Sequence, residues 1–272
     1  MEKRILLQHR FLWVIVDSSQ NTRNFATETS LANLRRISDI DHAPRKFVAN
    51  PLQICEEHFP SQIACFLVVA IHIMSQFMYA PKNAHWNVVL RMVRYLKNSP
   101  GQGVLLRANT PQILTAWCDS DHGSCPLTHR SLSGWFIQFG DSPLSWKTKK
   151  QDVVSRSSAE AEYRTMADSV SELLWLRELL PILGIEVTAP ITLHSDSLSA
   201  IMLAANPVFH ARTKHVGRDV HFVRDEIIRG VIATKHVSTT SQLADIMTKA
   251  LGRKEFENFL VKLGVCILHT PP

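Results

Sequence analysis

The chain has 272 residues, 45% of them hydrophobic and 20% charged. That balance excludes a disordered or fibrous class, and the length suffices for a core without disulfide or metal staples. Lysine and arginine outnumber the acids 30 to 24, a formal charge of +6, which favours a polyanionic partner such as nucleic acid. Five cysteines (Cys55, Cys65, Cys118, Cys125, Cys266) show no CxxC spacing, so they signal neither a disulfide framework nor a zinc site, and a reducing compartment is expected.

Residues 1–62 carry no sustained periodicity and form a poorly defined N-terminal segment. The apolar stretch before Val16 is short and lacks a small-residue cleavage site, so secretion is not expected, and an intracellular location, cytoplasmic or nuclear, is. The most apolar run, Ile63 to Met74, is about a dozen residues where a membrane span needs roughly 20, and reads as a buried helix. Ala80-Pro81 breaks the helical pattern. It resumes from His85 to Lys97, with Trp86, Val89, Leu90, Val93 and Leu96 on one stripe and Arg91, Arg94 and Lys97 opposite. Asn98-Ser99-Pro100-Gly101 ends it, so residues 63–108 form a helical segment, a further domain covers 109–265, and 266–272 are a tail.

Within 109–265 the pattern predicts strands at Ile113–Cys118, Ser133–Phe139 and Leu144–Lys147, the last two joined by a tight turn at Gly140-Asp141. A long helix follows from Ser158 to Leu183, with Tyr163, Met166, Ala167, Val170, Leu173, Leu174 and Leu180 at core spacing and Gly184 as its stop. Then come a strand at Ile191–Ser195, helices at Leu198–Ala205 and Asp219–Arg229, a strand at Val231–Val237 and a helix at Gln242–Leu251. Three hairpin-linked strands followed by helix-separated ones imply an α/β (α+β mixed) fold, a five-stranded mixed sheet flanked by helices.

Four acids sit where such a fold can bring carboxylates together, and each also admits a structural role. Asp119 follows an apolar run, where an unpaired charge is costly, yet a turn aspartate fits too. Ser157-Ser158-Ala159-Glu160 is a capping-box pattern that accounts for Glu160 but not for Glu162, roughly 200° further around the helix. Asp196 ends a strand and is also placed to cap the helix after it. Asp245 is also spaced to pair with Lys249 at i,i+4. Lys147, Lys149, Lys150, Arg212, Lys214 and His215 form basic clusters suited to phosphate contacts, though each alone fits a solvated surface.

Trp117-Cys118-Asp119-Ser120-Asp121, Arg130-Ser131-Leu132-Ser133-Gly134, Ser155-Arg156-Ser157-Ser158-Ala159-Glu160-Ala161-Glu162-Tyr163, His194-Ser195-Asp196 and Gln242-Leu243-Ala244-Asp245-Ile246-Met247-Thr248-Lys249 together resemble the ribonuclease H part of the Pol polyprotein of copia-type LTR retrotransposons. Met74 to Lys97 resembles the end of the reverse transcriptase upstream of it. No Tyr-x-Asp-Asp motif occurs, so no polymerase active site is expected. The chain departs from the family pattern at Ser197, commonly Asn, and at His122, commonly Trp. The resemblance implies a ribonuclease H-like fold and a metal-dependent endoribonuclease that cuts the RNA strand of RNA–DNA hybrids. It implies Asp119, Glu162, Asp196 and Asp245 as catalytic ligands of two Mg²⁺ ions, with Mn²⁺ as a substitute, which suits hard oxygen donors. The implied partners are the hybrid and the rest of a Pol polyprotein, with no membrane. The alternative is an inactive nucleic-acid-binding remnant of a decayed element.

Overall fold

The computed structural model describes residues 68–98, 102–107, 110–187, 190–206 and 217–267. The expected N-terminal segment 1–62, and Arg212, Lys214 and His215, lie outside the described residues. The chain divides into two compact units, one of them Asn109–Gly264 and the other formed by what precedes it together with Val265 onwards.

In the latter unit, helix α1 (Val68–Ser75) and helix α2 (Asn83–Lys97) flank the expected break at Ala80-Pro81. Helix α2 keeps Arg91, Arg94 and Lys97 exposed while its apolar stripe is wholly or partly covered, as its spacing dictates. The Lys82 amide donates to His85 Nδ1 at 3.1 Å at the start of α2. A short strand β1 (Gln102–Val104) pairs antiparallel with the terminal strand β7 (Val265–Ile267). The sequence pattern predicts neither, because three residues are too few for an alternation to register.

The Asn109–Gly264 unit contains the mixed sheet. Its strands are β2 (Leu114–Asp121), β3 (Leu132–Phe139), β4 (Ser142–Lys150), β5 (Ile191–Ser195) and β6 (Ile232–His236), in the spatial order β4-β3-β2-β5-β6. The first three are antiparallel neighbours, and β5 and β6 run parallel to β2. The five-stranded mixed sheet, with three antiparallel strands followed by two parallel ones, is the one the order of elements in the sequence predicts. Pro143 is tolerated because β4 is an edge strand and a bulge offsets the register there, so no central ladder bond is lost. Gly140 turns the β3–β4 hairpin at φ +55°, and a Cβ there would meet Thr110 Oγ1 at 1.8 Å, which confines the position to glycine.

Helix α3 (Ser158–Ile182) crosses one face of the sheet. It begins where Ser157 Oγ accepts the Glu160 amide at 3.2 Å and the Glu160 carboxylate accepts the Arg156 amide at 2.9 Å; this is close to the expected capping box. It buries Tyr163, Met166, Ala167, Val170, Leu173, Leu176 and Leu180. Leu174, expected in the core, is half-buried, and Leu176 takes its place. Helices α4 (Leu198–Ala205) and α5 (Gly217–Ile228) follow, and the Tyr163 hydroxyl donates to the Val220 carbonyl at 3.3 Å, which joins α3 to α5.

Several boundaries differ from the sequence pattern. Strand β4, expected over Leu144–Lys147, runs from Ser142 to Lys150 and so takes in Ser142 and Pro143, next to the expected turn. Strand β2 continues to Asp121 because Asp119–Asp121 stay in the ladder opposite Leu132–Gly134, so Asp119 lies inside the strand. The helix expected over Gln242–Leu251 is reduced to a four-residue helix α6 (Asp245–Thr248), preceded by a 3₁₀ turn at Thr239–Ser241. Gln242 is drawn out of helical geometry to donate from Nε2 to the Cys118 carbonyl at 2.9 Å. Helix α7 (Arg253–Lys262), which buries Phe259 and Leu260, then starts afresh after Gly252.

Candidate metal centre

Strands β2 and β5 are parallel neighbours, so their carboxyl ends emerge on the same edge of the sheet, the edge where open α/β sheets bind ligands. Trp117 and His194 face each other in the register and stack with centroids 5.1 Å apart. Two residues further along stand Asp119 within β2, on the Trp117 face by the period of two, and Asp196 just past the end of β5. Glu162, just past the first turn of α3, is brought to the same place: its Oε1 accepts the Ser120 amide at 3.2 Å. Asp119, Glu162 and Asp196 thereby each offer a carboxylate oxygen within 4.8 Å of the others.

The structural alternatives for two of these acids are removed by neighbours. The cap of α4 is supplied by Ser197, whose Oγ accepts the Ala200 amide at 3.3 Å, so Asp196 is not used as the cap. It accepts instead from Thr239 Oγ1 at 3.1 Å. The acid that serves the turn after β2 is Asp121, which accepts the Ser124 hydroxyl and the Leu132 amide, leaving Asp119 to the cluster.

Asp245 does not join the three. It is 5% exposed and tied to them through Lys249, whose Nζ donates to Asp245 Oδ1 at 2.7 Å and to Asp119 Oδ1 at 3.2 Å. The i,i+4 pairing of Asp245 with Lys249 is thus present, and the reach of Lys249 to Asp119 is the feature sequence spacing does not reveal. The Thr248 hydroxyl donates to the other oxygen of Asp119. Helix α6 comes this close because Gly134, opposite Asp119 on β3, has no side chain: a Cβ would lie 2.6 Å from Thr248 Cγ2 and 2.7 Å from Met247 Cβ. The Thr148 hydroxyl on β4 fastens α6 further by donating to the Met247 carbonyl.

The electrostatics are those of a site short of positive charge. Burial, then the charges of Asp119 and Asp196, push the Glu162 carboxyl up to about 9, and its Oε2 is buried with no hydrogen-bond partner. Burial also raises Asp119 and takes Asp245 to about 6, with Lys249 opposing the rise in both. Burial disfavours the Lys249 ammonium, yet the Asp119 charge and the Asp245 hydrogen bond outweigh it and raise its pKa. Three carboxylates grouped this closely, one of them with a buried unpartnered oxygen, are a donor set that fits a hard divalent cation.

The predicted basic residues separate. Strand alternation puts Lys147 and Lys149 on the α3 face, where Lys147 Nζ is 5.4 Å from the Trp135 ring centroid and Lys149 is 3.9 Å from Asp168. Lys150 points to the Asp119 face, with Nζ 3.0 Å from Cys125 Sγ.

No protein-family model matches the chain. It is 42% identical over 206 residues to the retrovirus-related Pol polyprotein from transposon RE2 of Arabidopsis thaliana, which covers 76% of this chain and 14% of that protein. It is 31% identical over 188 residues to the corresponding polyprotein from transposon TNT 1-94 of Nicotiana tabacum, covering 69% of this chain and again 14% of the relative. The chain therefore spans about one seventh of the length of these curated relatives. Among solved structures it is similar to RNase H1 from the halophilic archaeon Halobacterium salinarum NRC-1, at 16% identity and a TM-score of 0.38, over 50% of this chain and 94% of that one.

Proposed function

The chain belongs with the retrovirus-related Pol polyproteins of copia-type transposons, of which it spans one segment, and we propose that it cuts the RNA strand of an RNA–DNA hybrid during reverse transcription of such an element. The observation that carries the reading is the convergence of Asp119, Glu162 and Asp196 from three separate elements on one edge of a ribonuclease H-like sheet, with Glu162 Oε2 buried and unpartnered. Asp119, Glu162 and Asp196 would hold a divalent cation, Mg²⁺ or Mn²⁺ by the hardness of the donors, and Asp245 would contribute to a second. Bound there, the cation supplies charge neutralisation on the scissile phosphate and a lowered pKa for attacking water.

The chain's own groups do the rest. Ser120 fixes Glu162 through its amide, Thr248 fixes Asp119 through its hydroxyl and Thr239 fixes Asp196, so the carboxylates are held in place before substrate arrives. Recognition is expected to follow groove shape and 2′-hydroxyls rather than base sequence, since side chains do not read the deep A-form groove.

The test is incubation of the purified chain with labelled RNA–DNA hybrid, duplex RNA and duplex DNA, each with Mg²⁺ or with chelator. Cutting confined to the RNA strand of the hybrid, and abolished by chelator, is the expected result; hybrid binding without cleavage in Mg²⁺ overturns it in favour of an inactive remnant. Asp196→Asn keeps side-chain size and lowers cleavage by on the order of 10²- to 10³-fold, since a lost ligand removes several kcal/mol of charge stabilisation at about 1.4 kcal/mol per tenfold. Glu160→Gln is the control, because Glu160 serves the cap and Arg164; it leaves cleavage within a few-fold.

Hybrid binding weakens with salt as phosphate contacts displace counterions. Replacing Lys150, the one of the three strand lysines on the Asp119 face, with alanine lowers the log–log slope by up to about 0.9, the value of one phosphate contact, whereas Lys149→Ala on the opposite face leaves it unchanged. A salt titration that is flat for the unmodified chain removes the basic residues from the interface.

A further inference from the structure

Lys249 stands between the acids in a way that makes the two sides of Asp119 unequal. On one side, Glu162 and Asp196 each offer a carboxylate oxygen within 4.8 Å of one of Asp119, and Glu162 Oε2 is buried without a hydrogen-bond partner. On the other, the space between Asp119 Oδ1 and Asp245 Oδ1 is spanned by a single ammonium, 3.2 Å from the first and 2.7 Å from the second. Both acids are buried, at 1% and 5% exposure. Two buried carboxylates this close to one cation repel each other without it, so the ammonium is doing there what a bound metal ion would do.

The lysine is also built to leave. Its side chain is 37% exposed, against 1% for Asp119 and 7% for Asp245. It follows the four-residue helix α6 at an extended residue, the C-cap of that helix. A flexible four-carbon stem with a compact charge can swing to solvent without moving the backbone, which a planar guanidinium clamped on two carboxylates would resist.

We propose that Lys249 is an internal cation that holds the second-ion position between Asp119 and Asp245, so that a second divalent ion enters only by displacing it. The inference rests on the metal-binding reading of Asp119, Glu162 and Asp196 above. It makes ion uptake sequential: the first ion takes the open triad, and the second competes with a tethered ammonium. Lys249 is therefore a positioning residue, holding Asp119 and Asp245 in place until the second ion arrives.

The experiment counts Mn²⁺ bound to the full chain by the electron paramagnetic resonance of the free ion, for the unmodified protein, Lys249→Met and Lys249→Arg, with thermal unfolding in chelator alongside. The unmodified chain is expected to bind Mn²⁺ in two steps of well-separated affinity. Lys249→Met keeps the stem and removes the charge, so the second step tightens at least tenfold, the first changes little, and the metal-free protein melts at lower temperature. If Lys249→Met does not fold, Lys249→Arg carries the test: its less displaceable cation weakens the second step tenfold or more. Two Mn²⁺ steps in the unmodified chain with the second unmoved by Met, or tightened by Arg, overturn the role of Lys249 and leave the triad reading standing. Absence of any Mn²⁺ binding to the unmodified chain overturns both.

Discussion

Glu162→Gln stabilises the metal-free protein at pH 8 and abolishes hybrid cleavage. Glu162 is raised to about 9 from an ordinary 4.5, by burial first and by Asp119 and Asp196 next. Between those two values the folded protein holds a proton that the unfolded chain has released. The contribution of this group to stability is therefore full below pH 4.5 and is lost as pH rises through 9, at a slope of up to about 1.4 kcal/mol per pH unit. Asp245, raised to about 6, adds the same trend at lower pH. Thermal unfolding in chelator from pH 5.5 to 9 should show a melting temperature that falls with pH for the unmodified chain and is flatter for Glu162→Gln. At pH 8 the variant melts higher by more than about 2 °C, since 1 kcal/mol moves a domain of this size by roughly 2–4 °C. Mg²⁺ restores the unmodified chain at high pH and does little for the variant. A melting temperature of the unmodified chain that rises between pH 6 and 9 in chelator contradicts the burial of an uncompensated carboxylate at Glu162.

Gly134→Ala lowers stability and cleavage together although residue 134 bears no functional group. The added methyl would lie 2.6 Å from Thr248 Cγ2 and 2.7 Å from Met247 Cβ, well inside contact distance. Helix α6 has to retreat, at a cost of about 1–3 kcal/mol for overpacking a close contact. Its retreat carries Thr248, Lys249 and Asp245 away from Asp119, so cleavage falls by more than the loss of folded protein explains, by on the order of tenfold or more. Ser133→Ala, one residue away and facing α3 through Thr165 and Gln151, is the contrast: it removes hydrogen bonds without moving α6. Urea unfolding and hybrid cleavage on both variants decide the matter, and a Gly134→Ala protein with unchanged cleavage per folded molecule refutes the docking role of this glycine.

The order of strands and helices between Ile113 and Val237 is legible in the sequence because each element carries its own local signal for long enough to be read. Short apolar and aromatic runs between turn signals mark β2 and β3, and a long 3.6-residue pattern between Ser157 and Gly184 marks α3. The acids are legible too, as Asp119 follows the apolar run of β2, Glu162 lies near the start of α3 and Asp196 follows β5. Helix α7 carries Phe256, Phe259 and Leu260 at helical spacing, so its signal is present in the chain, but the pattern from Gln242 onward merges with it and hides the break at Lys249. What the sequence by itself determined is therefore the mixed sheet with its flanking helices; it marked four acids for one end of that sheet, and three of them offer carboxylate oxygens within 4.8 Å of one another. Only the tertiary structure decided that Asp245 stands apart from them, that Ser197 rather than Asp196 caps α4, and that Lys249 reaches Asp119 from 130 residues away. The physical reason is that local periodicity follows from a residue's neighbours in the chain, whereas these contacts depend on how closely α6 packs over Gly134.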